Sequence, residues 1–434
     1  MNCDLYQQRR QRLMQALQSG VAIIRTAPEV VRNRDSHYAY RYDSYFHYLT
    51  GFDEPEAVLV IIAGSAAQSV LFCREKNAER EIWDGYRYGP EAAKAEFGFD
   101  ESYSIAELPI KLPELMANQS RLAYAVGDDS TWDAQVLGWL NAVRAKVRTG
   151  VTAPEEIVDV RRWLDEMRLF KDTHEVGLMR RAAEISSAAH LRAMQKTRPG
   201  KFEYEIEAEL LHDFVRHGAR QPAYTSIVAG GKNACVLHYV ENNAPLNAGD
   251  LLLIDAGCEF EGYAADITRT FPVSGKFSAE QKDVYEIVLA AQDAAMQQVK
   301  PGASWIAYHD AAVRVLVQGM VDLKLLAGSV DGLIENESYK QFYMHKTGHW
   351  LGRDVHDAGE YKQNGDWRTL QPGMMLTVEP GFYIRPADNV PEAFWNIGVR
   401  IEDDVLVTQS GHEVLTNPPK TVVEIEAAMQ ERLA

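Results

Sequence analysis

The chain repeats itself. Glu184 to Gly200, EISSAAHLRAMQKTRPG, aligns with Glu286 to Gly302, EIVLAAQDAAMQQVKPG, at an offset of 102 with nine identities in 17 positions. Each copy predicts a helix stopped by a Pro-Gly turn, then a second helix (Phe202 to His217 and Trp305 to Leu326), then strands. Both first helices open with capping-box spacing, Asp172 with Glu175 and Ser278 with Gln281. A helix-helix-strands unit used twice implies a pseudo-twofold domain. A site at the join of such a domain draws side chains from both halves.

The first half offers two aspartates. Leu251 to Ile254 is a short apolar run, Glu261-Gly262 is a turn signal, and Ala264 to Phe271 suits an extended chain again. If residues whose numbers total 521 face each other, Asp255 and Asp266 are cross-strand neighbours with Cβ atoms roughly 5 Å apart. Two carboxylates that close repel unless a proton or a cation lies between them, and a divalent metal answers that need. The plainer alternative gives one Asp to the turn and the other to a strand end.

The second half contains three partners. YMHKTGHWLG places His345 and His349 four residues apart, on one side of either a helix or a strand. In TVEPG an apolar strand delivers Glu379 just before a Pro-Gly turn, where a strand end presents its side chain to a cavity. In GVRIEDDV, Arg400, Glu402 and Asp404 alternate to one face. Together Asp255, Asp266, His349, Glu379 and Glu402 form a hard, oxygen-dominated donor set that suits Mn²⁺ or a similar first-row ion better than a thiolate-type zinc site. Four negative charges call for about two divalent ions. Two metals roughly 3.5 to 4 Å apart share a bridging water, lower its pKa and polarise a carbonyl, which is machinery for amide hydrolysis. A proton must also reach the departing nitrogen.

The remainder of the chain bounds the partners. The 434 residues allow two or three domains, and 46% apolar content fills full cores. A formal charge of -17 argues against a nucleic-acid surface and gives no basic face for anionic lipid. The longest apolar run, Ala57 to Ala63, is far short of a membrane span. Cys3, Cys73, Cys235 and Cys258 make no CxxC pair, and the start MNCDLYQQRRQR lacks the apolar core of a signal peptide, so a reducing cytoplasm is expected. Residues 1–165 read as an α/β domain with strands at Val21 to Arg25, Ala57 to Ala63, Ser69 to Arg74 and Leu122 to Val126, and helices at Leu5 to Gln18 and Ser130 to Val147. Gly150 to Val160, with Pro154, reads as a linker into residues 166–434. The aromatic stretch His37 to Phe52 is either packed core or a binding surface, and Trp83 carries the same ambiguity.

The motifs YRYDSYFHYLTGFDEPEAVLV, DEMRLFKDTHEVGLMRRA, HYVENN, DAGCEFEGYAADITRTFPV, MHKTGHWLGRDVHD, LTVEPGFYI and GVRIEDD, in this order, resemble the pita-bread metallopeptidases. That family includes methionine aminopeptidase, prolidase and aminopeptidase P, and the likeness is greatest to bacterial aminopeptidase P across nearly the whole chain. The resemblance implies an amino-terminal ribonuclease H-like or creatinase-like α/β domain that governs oligomerisation and access, followed by a pseudo-twofold pita-bread catalytic domain. It implies that Asp255, Asp266, His349, Glu379 and Glu402 hold two metal ions, most simply Mn²⁺, with Asp255 and Glu402 bridging or bidentate. His238 matches a proton-shuttling histidine, His345 and His356 match two more lining the site, and Arg400 matches an arginine beside the ligands.

The implied reaction removes the first residue from peptides whose second residue is proline. An Xaa-Pro bond is a tertiary amide without an N–H, which disfavours ordinary peptidases. His238, His356 and Tyr383 are the expected pocket lining, and Trp83 is expected to reach a neighbouring subunit's site in a dimer or tetramer. Prolidase, a dipeptidase with the same metal centre, is the alternative, and a non-catalytic pita-bread binding module is a remote one. One departure stands out: Lys346 follows His345 where the family often has glycine, so the loop before Gly348 is either strained or reshaped.

Overall fold

The computed structural model describes residues 3–431 and divides into two compact units between Met167 and Arg168. The first unit is built on a six-stranded sheet in the order Glu101–Ser104, Gln68–Cys73, Val58–Ala63, Gly20–Arg25, Arg121–Tyr124, Glu156–Asp159. Only Val58–Ala63 runs antiparallel to its neighbours. The central strands are apolar on both faces, and their residues alternate between two separate cores. Ala22, Ile24, Leu59 and Ile61 pack into one, and Val21, Ile23, Val58 and Val60 into the other.

One expectation changes here and one alternative is decided. Within the expected linker, Glu156–Asp159 pairs in parallel with Arg121–Tyr124 as an edge strand. Its burial is only partial, so periodicity could not reveal it. Much of the aromatic stretch is core: Phe46, Tyr48 and Phe52 are fully buried, while Tyr38 is exposed.

The second unit carries the repeat. The helices Thr173–Lys196 and Glu203–Arg216 form the first pair, and Ala279–Met296 and Ala307–Asp322 the second. Both capping boxes form, and both Pro-Gly turns place their glycine in the left-handed region, Gly200 at φ 88° and Gly302 at φ 82°. A hairpin with a break in mid-ladder follows each pair. In the first, Leu251–Asp255 pairs with Thr268–Pro272 and Cys258–Phe260 with Tyr263–Ala264, all in one register. In the second, Met375–Val378 pairs with Asp403–Val407 and Gly381–Ile384 with Ile397–Arg400, again in one register.

The register corrects the expected aspartate pair. Partners in the first hairpin total 523, not 521, so Asp255 faces Thr268 and Asp266 falls opposite Gly257. The cause is the turn itself: Glu261 and Gly262 both have positive φ, 51° and 76°, and a two-residue turn there makes Phe260 face Tyr263. Asp255 and Asp266 are therefore diagonal neighbours on one face. Gly257 is required at the break, because a Cβ would meet the Ala265 carbonyl oxygen at 1.7 Å.

Among the described residues no helix is long and apolar enough to cross a membrane. A buried ion cluster ties the start of this unit to its active face: Arg168 bonds to Asp357, and Lys171 Nζ lies 2.9 Å from Asp357 Oδ2. Burial opposes the Asp357 charge, yet the Arg168 and Lys171 cations hold its carboxyl down at about 2. Asp357→Asn should therefore lower stability by about 3–5 kcal/mol, since Lys171 stays buried without its carboxylate and Arg168 keeps only the half-exposed Asp354. In the wild type this stabilisation is complete above the ordinary carboxyl range near 4 and is lost as pH falls towards about 2. Denaturant unfolding of both proteins between pH 7 and pH 2 measures it.

Candidate metal centre

The two ladder breaks face one cavity of about 680 Å³. Asp255 closes the strand Leu251–Asp255, and Asp266 precedes Thr268–Pro272. Glu379 and Glu402 sit in the corresponding gap of the second hairpin, where the shared register sets them opposite each other. Neither spends its backbone N–H on the other: Glu379 donates to the Thr347 carbonyl and Glu402 to the Thr268 carbonyl. The Glu402 bond stitches the two halves together. Thr347 to Leu351 runs beside Met375–Val378, which brings His349 against Glu379. That approach needs Gly348, whose Cβ would meet the Thr377 carbonyl oxygen at 2.0 Å. Lys346 does not have positive φ, so the expected strain at that position does not arise.

Every carboxylate is oriented by a neighbour. Tyr224 OH donates to Asp255 Oδ1 at 2.6 Å and also reaches Asp266 Oδ1. Arg400 Nη2 lies 2.6 Å from Asp255 Oδ2, Thr268 Oγ1 donates to Glu402 Oε2 at 2.6 Å, and Thr377 Oγ1 to Glu379 Oε1 at 3.1 Å. His349 Nδ1 lies 3.0 Å from the Trp350 carbonyl, which only accepts, so Nδ1 carries a proton. Its Nε2 then points at Asp266 Oδ2 and Glu379 Oε1, both at 3.4 Å.

The protein alone leaves this cluster short of positive charge. Burial, then the neighbouring acids, push Glu379 up to about 7 and Glu402 well above the carboxyl range, and burial raises Asp266 too. His349 goes the other way: burial opposes its charge, but hydrogen bonding to Asp266 and the Glu379 charge lift it to about 9. Such a site wants cations. Asp266, His349 and Glu402 each offer an atom with all three atoms within 4.8 Å of one another, so the donor set fits a metal ion.

The other expected residues divide into two groups. His238, His345, His356 and Arg400 line the cavity, whereas Tyr383 does not. Tyr383 is fully buried behind the wall, its hydroxyl 2.8 Å from His345 Nε2 and 3.0 Å from Arg400 Nη1. His345 Nδ1 meets the Lys346 carbonyl at 2.7 Å, so both its nitrogens are engaged inside the protein. Burial and then Arg400 push it down to about 3, which keeps it neutral. His356 packs on the His349 ring at 4.0 Å, and burial with His349 holds it neutral at about 4. Among the described residues neither His356 nor His238 has a hydrogen-bond partner on its ring. Trp83 belongs to the first unit, 79% exposed on the short helix Ala78–Asp84, and is not among the cavity-lining residues. Reading the sequence missed Tyr224 and the apolar wall of Trp305, Tyr361 and Trp367. Each is a lone aromatic outside any motif with metal-ligand spacing.

Comparison with known proteins agrees in both units. The model of metallopeptidase family M24 matches residues 177–409, and that of the aminopeptidase P amino-terminal domain matches residues 6–124. The chain is 47% identical to the Xaa-Pro aminopeptidase of Escherichia coli over 98% of its own length and 97% of that protein's. Among solved structures, aminopeptidase PepP of Pseudomonas aeruginosa is 52% identical and covers 99% of this chain and 98% of its own, with a TM-score of 0.97. A zinc-substituted E. coli aminopeptidase P in complex with product also has a TM-score of 0.97, at 46% identity and full coverage of both chains.

Tyr224→Phe removes the donor shared by Asp255 and Asp266 while keeping the ring. It should weaken divalent-metal affinity about 10- to 100-fold, as loss of a ligand-orienting bond does. Isothermal titration with Mn²⁺ checks this, and an affinity equal to wild type would show that the hydroxyl does not orient the acids.

Proposed function

The chain belongs to metallopeptidase family M24, and from that premise we propose that it releases the first residue of peptides whose second residue is proline. It is a hydrolase and an aminopeptidase. The observation that carries the reading is the set of four carboxylates, two buried and two half-buried, and one imidazole, drawn from both halves onto one cavity, in a chain aligned over 98% of its length with Xaa-Pro aminopeptidases. The prolidase reading yields to the amino-terminal match with aminopeptidase P. All five expected ligands are present, which speaks against a non-catalytic module.

In this proposal Asp255, Asp266, His349, Glu379 and Glu402 hold two divalent ions, most simply Mn²⁺. When bound, the metals supply Lewis acidity that polarises the scissile carbonyl and acidifies water. The protein supplies orientation. Tyr224, Thr268, Thr377 and Arg400 fix the carboxylates so that they need not reorganise during the reaction. Cleavage of an Xaa-Pro bond leaves a secondary amine that must take a proton, since the tertiary amide has no N–H of its own. His238 and His356 face the cavity with no ring nitrogen hydrogen-bonded among the described residues and are the residues proposed to bind the carbonyl oxygen and deliver that proton. His345, its nitrogens already bonded, shapes the wall instead, and Tyr383 positions it. Trp305, Tyr361, Trp367, Leu237 and Val355 give the prolyl ring an apolar surface.

Three further assignments complete the reading. Residues 1–165 are proposed to control access and assembly, with residues 166–434 performing the chemistry. Ile82, Trp83 and Tyr86 are exposed apolar side chains within five residues of chain and are proposed as the contact face of a homo-oligomer, dimer or tetramer. The four cysteines are free, as expected of a protein working in the cytoplasm.

With chelator-treated protein and Mn²⁺ restored, an Xaa-Pro-Xaa tripeptide should lose its first residue much faster than the matching Xaa-Pro dipeptide is split. Faster cleavage of the dipeptide would make the protein a prolidase. Glu379→Ala should lose turnover and metal binding together, and full activity in that variant would overturn the ligand assignment.

A further inference from the structure

The cavity's charges are unevenly matched. Its lining carboxylates are Asp255, Asp266, Glu379 and Glu402, and its lining arginine and lysine are Arg400 and Lys346. Arg400 is buried and bonded to Asp255, Tyr383 and Thr268, so its charge is already used. Lys346 differs. Its side chain is exposed and, among the described residues, no carboxylate forms an ion pair with it. Its charge is felt by Asp310, on the helix Ala307–Asp322, and by His309, without an ion pair to either. Only its backbone is tied down, through the Lys346 carbonyl that accepts from His345. A lysine with no ion-paired carboxylate, on the wall of a substrate cavity, is a vacant half of an ion pair.

The substrate of the proposed reaction says which half is missing. A peptide enters with a cationic amino terminus, which a lysine repels and the carboxylate cluster attracts. The lysine side of the cavity therefore suits the part of the peptide beyond the proline. Resting on the aminopeptidase reading, we propose that Lys346 is a specificity-determining residue that pairs with a carboxylate beyond the proline of the substrate. Two sources carry that group: the α-carboxylate of a tripeptide, and an Asp or Glu side chain at the third position of a longer peptide. The side chain forms no ion pair with the metal-holding acids, and in this proposal it meets only the leaving fragment.

An exposed ion pair of this kind changes affinity by up to about fivefold and weakens as salt screens it. The experiment compares kcat/KM for an Xaa-Pro-Xaa tripeptide and its carboxamide, and for tetrapeptide amides with Glu or Gln in third place. Each is measured with wild type, Lys346→Gln and Lys346→Glu at low and high salt. The wild type should favour the free acid about threefold to fivefold, through KM, with the preference shrinking in high salt. Lys346→Gln should abolish the preference, and Lys346→Glu should reverse it. A Glu-over-Gln preference alone assigns the pairing to side chains, and an acid-over-amide preference alone to the chain end. Binding of a Pro-Xaa dipeptide against its carboxamide, by calorimetry, reads the same contact without turnover. Equal kcat/KM for acid and amide forms in the wild type, or an unchanged ratio in Lys346→Glu, overturns the proposal while leaving the aminopeptidase reading intact.

Discussion

Four carboxylates pressed towards one cavity repel one another, and the second unit is arranged around that repulsion. Desolvation and mutual charge make the ionised cluster costly, which is why Glu379, Asp266 and Glu402 all hold protons more tightly than usual. The protein offsets part of the cost with Arg400 and with donors from Tyr224, Thr268 and Thr377. A second buried pair stands just behind. Arg269 bonds to Asp403 at 2.7 Å and donates to the Glu402 carbonyl at 2.6 Å, which pins the backbone that carries the last acid. Those contacts orient the acids without neutralising them. Divalent cations are the remaining partner.

The repeat explains how one chain brings such groups together. A regular ladder points alternate side chains to opposite faces and spends every backbone group on its neighbour strand. Each hairpin here breaks its ladder for two or three residues; Asp266, Glu379 and Glu402 occupy the breaks and Asp255 closes the strand beside one. Gly257 and Gly348 permit the close backbone approaches that result. Two such hairpins, related by the repeat, set their breaks against one cavity, so neither half holds a complete site alone.

What was legible in the sequence follows the strength of local signals. Val58–Ala63 and Gly20–Arg25 were visible because doubly buried strands are continuous apolar runs, and both repeat helices announced themselves through capping boxes. The edge strand Glu156–Asp159 was read as linker because it is half exposed and bounded by a proline. The hairpin register was legible too, in the Glu261-Gly262 turn, but fitting the two aspartates to a direct pair displaced it by two. The five proposed ligands were found through their acid and histidine motifs, and the cavity gathers them all. Tyr224 had no such motif, and Tyr383, expected as pocket lining, lies behind the wall instead. Their work depends on where the chain returns in space, Tyr224 to two acids distant in sequence and Tyr383 to His345 and Arg400.

The central claim is that the carboxylate cluster is a cation site shared by the two halves. Counting divalent ions per chain, by equilibrium dialysis with Mn²⁺ and elemental analysis, tests it most directly when wild type is set beside Asp266→Ala from the first hairpin and Glu402→Ala from the second. The account predicts about two ions per wild-type chain, as four acids require, and loss of bound metal in either variant. Wild-type stoichiometry retained in both variants would contradict it.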